Sequence, residues 1–294
     1  MVDIGNFSST SFENFDINLV QKEVDGGSVS VDQIVEAIGK TPNARSIVIS
    51  GLKQDTFEYF IERYGKQFEA ISFWKNKLVE DLSPLSKLNG IKFINYFFNQ
   101  RATSLWDMSG NKSLIGLSIY DFSRLHNIEK IKTVPNLEFF GLGDRVWAGM
   151  VIDSLKPVAN TGIKHFEWCG KTVSDKDYKC LAKGKIDVLD INPTRFTLNE
   201  LTDLLALFPE TLSGSITKPY VTGSVGTRDG ERTTYRFLCK NKKTCVVGKD
   251  DERFQNYMKD FEILLMNNRK GVVMTNDNKI QILSGRMVSC LGMG

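Results

Sequence analysis

Chemistry by side chains has few candidates in this sequence. Only two histidines, His126 and His165, are present, with five cysteines: Cys169, Cys180, Cys239, Cys245 and Cys290. His165 and Cys169 are four residues apart on a strand-like stretch. Both would face one side, two strand steps apart, which is outside the hydrogen-bond reach that a Cys–His nucleophilic pair needs. His165, Cys169 and Cys180 lack a metal-ligand spacing. GLGDRVWAG begins like a glycine-rich loop but lacks the further glycines and helix of a dinucleotide site, and VVGKDDERF has no phosphate-loop glycine before its GK. Glu167 and Asp190 share a position in neighbouring segments. Such a pair could hold a cation or raise one another's pKa; more often it is a solvated acidic patch. No catalytic residue, metal or cofactor is therefore assigned.

The elements that would position these groups come from a repeat. FEAISFWKNKL places Phe68, Ile71, Phe73, Asn76 and Leu78 on the pattern L-x-x-L-x-L-x-x-N-x-L. At steps of 23, 23, 23, 26 and 23 residues follow Ile91/Ile94/Tyr96, Leu114/Leu117/Ile119, Leu137/Phe140/Leu142, Ile163/Phe166/Trp168 and Ile186/Leu189/Ile191. Ala44/Ile47/Ile49 form a weaker first copy. Asn occupies the ninth position only at Asn76 and Asn99, so the other turns need different partners for their backbone. The rival register of the second copy, Leu88/Ile91/Phe93, makes the steps uneven and loses that Asn. A one-residue slip would turn every side chain to the opposite face.

Over roughly Pro42 to Pro209 the pattern resembles the leucine-rich repeat family, in about seven copies of bacterial-type length. The resemblance implies an α/β fold: a curved solenoid whose short parallel strands line a concave sheet. No copy buries its apolar face alone, so neighbours must stack. DTFEYFIERYGKQ and VSDKDYKCLAKG read as return helices, the first with Asp55 as cap, and Pro84 and Pro135 make other returns tighter.

Three parts are expected. Residues 1–41 hold a loosely ordered start and a helical cap with a Ser30/Gln33 capping box. Residues 42–210 hold the solenoid, closed by a helix through Leu198, Leu201, Leu204 and Leu205. Residues 211–294 hold a small α+β unit read as ββαββ. In that unit SGSITKPYVTGSVGTRDGER is a linker or loop, two hairpins turn at NKK and NDNK, and KNKK is a hairpin tip.

Burial of columns one, four and six would turn columns three, five and seven to the concave face. Trp74, Phe97 and Tyr120 then make an exposed aromatic strip, with Phe93, Asn95 and Phe139 beside it and Asp121, Asp144, His165, Glu167 and Asp190 as an acidic and polar flank. Aromatic strips of that size mark partner sites, although the N-terminal segment or the C-terminal unit folding back would also cover one. The expected function is a non-catalytic protein- or peptide-binding module for a partner of basic character. The alternatives are an effector or enzyme with its activity in the C-terminal unit, and a carbohydrate binder. A net charge of +3 gives no warrant for a nucleic-acid or membrane partner. The N-terminal stretch lacks a secretory pattern and no eighteen-residue apolar run occurs, so a cytoplasmic location is expected, with a host-delivered effector as the other possibility. The low count of unpaired cysteines fits a reducing compartment.

Overall fold

The computed structural model describes residues 2–21, 27–147, 149–227, 230–237, 244–274 and 280–282. The chain divides into two units, Met1–Ile191 and Asn192–Gly294.

The first unit is mixed α/β. Its elements begin with β1 (Ile17–Leu19), α1 (Val31–Lys40), β2 (Ser46–Ser50) and α2 (Gln54–Tyr64). Then come β3 (Ala70–Trp74), β4 (Phe93–Asn99), β5 (Gly116–Phe122), β6 (Phe139–Gly143) and β7 (Val151–Ile152). The last are α3 (Lys156–Ala159), β8 (His165–Trp168), β9 (Thr172–Val173) and β10 (Val188–Ile191). Eight strands form one parallel sheet in the order β1-β2-β3-β4-β5-β6-β8-β10. Its register aligns Ala70 with Phe93, Gly116, Phe139, His165 and Val188. The 23-residue register therefore holds, and Leu88/Ile91/Phe93 is not the one used. Every residue of columns one, four and six, from Ala44 to Ile191, is buried. Leu78, expected as a further apolar position, is instead exposed.

Asn76 and Asn99 close two turns as a buried amide can. Asn76 Oδ1 accepts the Leu52 N–H at 2.7 Å and its Nδ2 donates to Ile49 O at 2.9 Å. Asn99 accepts the N–H groups of Arg101 and Ala102 and donates to Val79 O. After β5 the equivalent position is Phe122, and Asp121 beside it accepts N–H groups of the following turn. Gly51, Lys75, Phe98 and Asp121, at one repeat position, all have positive φ, between 53° and 67°. Each strand thus ends in the same left-handed kink, and three of the four residues there carry a Cβ that strains it.

The Ser30/Gln33 box caps α1 as expected. At α2 the cap is Thr56 Oγ1, which accepts the Lys53 N–H, and not Asp55. The return over Lys179–Lys183 is a 3-10 turn, shorter than the helix expected there. The start of the chain differs more. Asp16 Oδ2 accepts the N–H groups of Arg45 and Ser46 and so delivers β1 to the edge of β2. The polar composition of this stretch hid a strand whose apolar content is only Ile17 and Leu19.

The second unit contains α4 (Leu198–Leu205), β11 (Tyr220–Thr227), β12 (Gly230–Phe237), β13 (Thr244–Val246), α5 (Asp251–Lys270), β14 (Val272–Met274) and β15 (Ile280–Ile282). The helix expected to close the repeats falls in this compact unit, which begins at Asn192. The cause is its tie to α5: Asn268 Nδ2 donates to Thr202 Oγ1 and Asp203 Oδ1, and Arg269 pairs with Glu210 at 2.9 Å. The Gly- and Ser-rich stretch expected as linker forms β11, which pairs along its length with β12. With α4 in front, the order of the unit is therefore αβββαββ, one helix and one strand more than the expected ββαββ. Tyr235 and Phe237 stack on Phe254 and Tyr257 of α5, joining sheet to helix. The KNKK and NDNK turns, Cys239 and Cys290 lie outside the described residues.

Candidate functional site

Pairing of β3, β4 and β5 does bring Trp74, Phe97 and Tyr120 into line. Trp74 and Phe97 stack at 4.3 Å. The strip is not open, however. Phe97 is 5% exposed and Tyr120 2%, and Phe93 and Phe139 are buried beside them. Only Trp74 is half-buried. Part of the covering comes from the N-terminal segment. Phe7 stacks on Phe93 (5.4 Å) and meets Phe139 edge-on (5.2 Å), over the bare backbone of Gly116, and Phe12 stands edge-on to Trp74 at 4.9 Å. Apolar rings exposed in a row gain most by burial, and the chain supplies its own cover. Beneath this segment a polar column runs from Ser118 Oγ to Asn95 Oδ1 (2.7 Å) and from Asn95 Nδ2 to Ser72 Oγ (3.0 Å).

The acidic flank is likewise engaged within the chain. Asp121, 3% exposed, accepts the N–H groups of Arg145, Val146 and Trp147. Asp144 accepts those of Gly149 and Met150. Arg145 Nη2 lies 2.9 Å from Glu167, and Tyr120 Oη donates to the same carboxylate at 3.0 Å. Asp190 meets His165 Nε2 at 2.7 Å, with Phe139 edge-on to the imidazole. These four carboxylates therefore do not form a free acidic patch.

Tyr120 reaches Glu167 by crossing β6, which Gly141 permits: a Cβ there would stand 2.2 Å from the Tyr120 hydroxyl. The Arg145 guanidinium covers the Tyr120 ring at 4.4 Å. Burial pushes the Tyr120 phenol well above its ordinary range, with Glu167 adding to the shift. Burial and Glu167 push the Cys169 thiol up to about 12, against the pull of Arg145. Cys169 is thus a neutral thiol at physiological pH, the opposite of an activated nucleophile. No group of three or more His, Cys, Asp or Glu residues that could hold a metal ion occurs among the described residues, and none of their helices is long and apolar enough to cross a membrane.

What stays exposed lies at the carboxyl ends of the strands. The extra residues of the 26-residue step fall in the turn between β6 and β7, because the stacking resumes at Val151, paired with Thr172. That turn is pinned by Asp121 and Asp144. It holds Trp147 49% and Val146 62% exposed, and packs Trp147 on Phe98 at 4.5 Å. Sequence reasoning tested this stretch only as the glycine-rich loop of a dinucleotide site and did not count Phe98, Val146 and Trp147 among the partner-binding residues. The available signal was an acidic residue at a strand end, Asp121, followed by the one step longer than its neighbours. No family model matches this sequence, and no curated protein is similar to it.

Proposed function

We propose that the chain is a leucine-rich-repeat-type solenoid acting as a non-catalytic module that binds a protein partner. The partner is engaged at the rim formed by Trp74, Phe98, Val146 and Trp147. The solenoid reading is supported by the even register of β2 to β10 and by the burial of all three apolar columns. The observation that carries the functional reading is the half-exposed Trp147, held on a turn that Asp121 and Asp144 fix through backbone bonds. An aromatic pre-set in this way loses little entropy on binding and is typical of interface anchors. The test is affinity capture with the wild-type chain and with Trp147→Ala/Val146→Ser, quantified by mass spectrometry. A specific partner should fall at least about tenfold with the variant, as loss of an anchor residue implies. Equal recovery with a correctly folded variant refutes the placement.

A further inference from the structure

Past the strand ends the turns after β3, β4 and β5 continue to stack through their backbone. Lys75 N–H donates to Phe97 O (2.8 Å), Gln100 N–H to Lys77 O (3.0 Å) and Ser123 N–H to Asn99 O (3.1 Å). Side chains of these turns therefore stand in rows along the sheet edge, about 4.8 Å per turn. The charges they carry are unequal. The turns at 51–53, 75–78, 98–101, 121–124 and 144–147 contain six cations and two carboxylates, Asp121 and Asp144. Both carboxylates are bound to backbone N–H groups. Of the cations, Arg145 is neutralised by Glu167. Lys53, Lys75, Arg101 and Arg124 have no carboxylate partner among the described residues. Arg101 and Arg124 sit at the same place in consecutive repeats, both exposed, and the Lys75 ammonium lies 5.8 Å from the Trp74 ring centroid.

We infer that this edge binds an acidic polypeptide segment, with Lys75, Arg101 and Arg124 facing its carboxylates and Trp147 and Val146 taking an apolar side chain. The inference deepens the proposed function and rests on its reading of the rim as the partner site. It reverses the partner charge expected from the sequence, because the carboxylates counted there as a flank are spent on the turns and on Arg145. The long Lys and Arg side chains let cations on turns about 4.8 Å apart meet carboxylates that an extended chain presents on one face every ~6.8 Å. A polypeptide fits better than a nucleic acid. The Phe98 and Trp147 rings pack on each other at 4.5 Å, which closes the slot a base would enter, and the neighbour is aliphatic Val146.

The experiment measures fluorescence anisotropy of labelled probes with the full chain. The probes are (Glu-Ser-Glu-Leu)4, its Lys counterpart (Lys-Ser-Lys-Leu)4, and a twelve-nucleotide oligouridylate. The glutamate probe should bind wild type tightest and weaken at least about tenfold with Lys75→Glu/Arg101→Glu/Arg124→Glu, whose sites are solvent-accessible and leave the core intact. Raising salt from about 0.05 to about 0.3 M should weaken it several-fold through screening. Binding of the glutamate probe unchanged in the triple variant, tighter binding of the lysine probe or the oligouridylate, or no binding of the glutamate probe overturns the inference. Trp147→Ala separates the two claims. If the triple variant loses binding and Trp147→Ala keeps it, the charge inference stands and the aromatic anchor fails.

Discussion

The contact between Phe7 and Gly116 makes the most demanding prediction. Phe7 is 2% exposed, and a Cβ added at Gly116 would lie 2.8 Å from its ring and 2.9 Å from that of Phe93. Burial of a phenylalanine contributes about 1.5–3 kcal/mol, and each ring pair, with Phe93 and with Phe139, about 0.5–1.5 kcal/mol more. Phe7→Ala should therefore weaken docking of the N-terminal segment by about 3 kcal/mol. Gly116→Ala should weaken it by about 1–2 kcal/mol through overpacking, relieved by lifting the segment because β5 itself is fixed in the sheet. The two changes act on one contact. In the Phe7→Ala background Gly116→Ala should have a clearly smaller effect, set by the remaining contact with Phe93, a non-additivity of about 1 kcal/mol. Hydrogen exchange over residues 2–15 and chymotryptic cleavage after Phe12 or Phe15 read the lifted state directly. A global melt is less suitable, because the chain has two units and need not unfold in one step. Additive effects, or a Phe7→Ala chain as resistant as wild type, would refute the account of the segment as a plug seated by its aromatic rings.

Three further outcomes follow from the turns and the buried polar groups. Asn76→Ala strands the Leu52 N–H and the Ile49 carbonyl in the interior and should lower stability by about 3 kcal/mol, seen as a fall in the urea midpoint of the first unit; an unchanged midpoint would contradict it. Gly141→Ala should force Tyr120 off Glu167 and destabilise by about 2 kcal/mol, with a change in tyrosine absorption under alkaline titration as the second readout. Burial holds the Cys169 and Cys180 thiols at about 12, against an ordinary 9.0. The unfolded chain gives up these protons first as pH rises, so their stabilising contribution is whole below about pH 9 and is lost between 9 and 12. Melting midpoints taken from pH 8 to 11 should decline more steeply for wild type than for Cys169→Ser, and equal slopes would count against the shift.

The ladder was legible because burial acts on period. Phe68, Ile71 and Phe73 and their successors repeat at a spacing that only a stacked register satisfies, and the pairing of Ala70 with Phe93 follows from it. The aromatic row was legible for the same reason. Its exposure was not, since nothing in the spacing of Trp74, Phe97 and Tyr120 records that Phe12 returns onto Trp74, Phe7 onto the neighbouring Phe93, and Arg145 onto Tyr120. Glycines told the same story unread. Gly116 and Gly141 look like weak points in strands, yet each is the vacancy that a ring from elsewhere fills. Charge was the least legible property. Asp121, Asp144 and Glu167 count as acidic in any composition, but each acts on the N–H groups or the guanidinium of the β6–β7 turn. The left-handed kink is signalled by residue type only at Gly51 and Asp121; at Lys75 and Phe98 the neighbouring copies impose it on side chains that do not favour it.

The longer turn between β6 and β7 carries its surplus residues outside the ladder, which resumes unbroken on the far side. Closure entropy grows slowly with length, so this position tolerates insertion where the strands cannot. Foreign sequence can thus be grafted between Asp144 and Val151, with the two aspartates retained as anchoring posts and the scaffold beneath untouched.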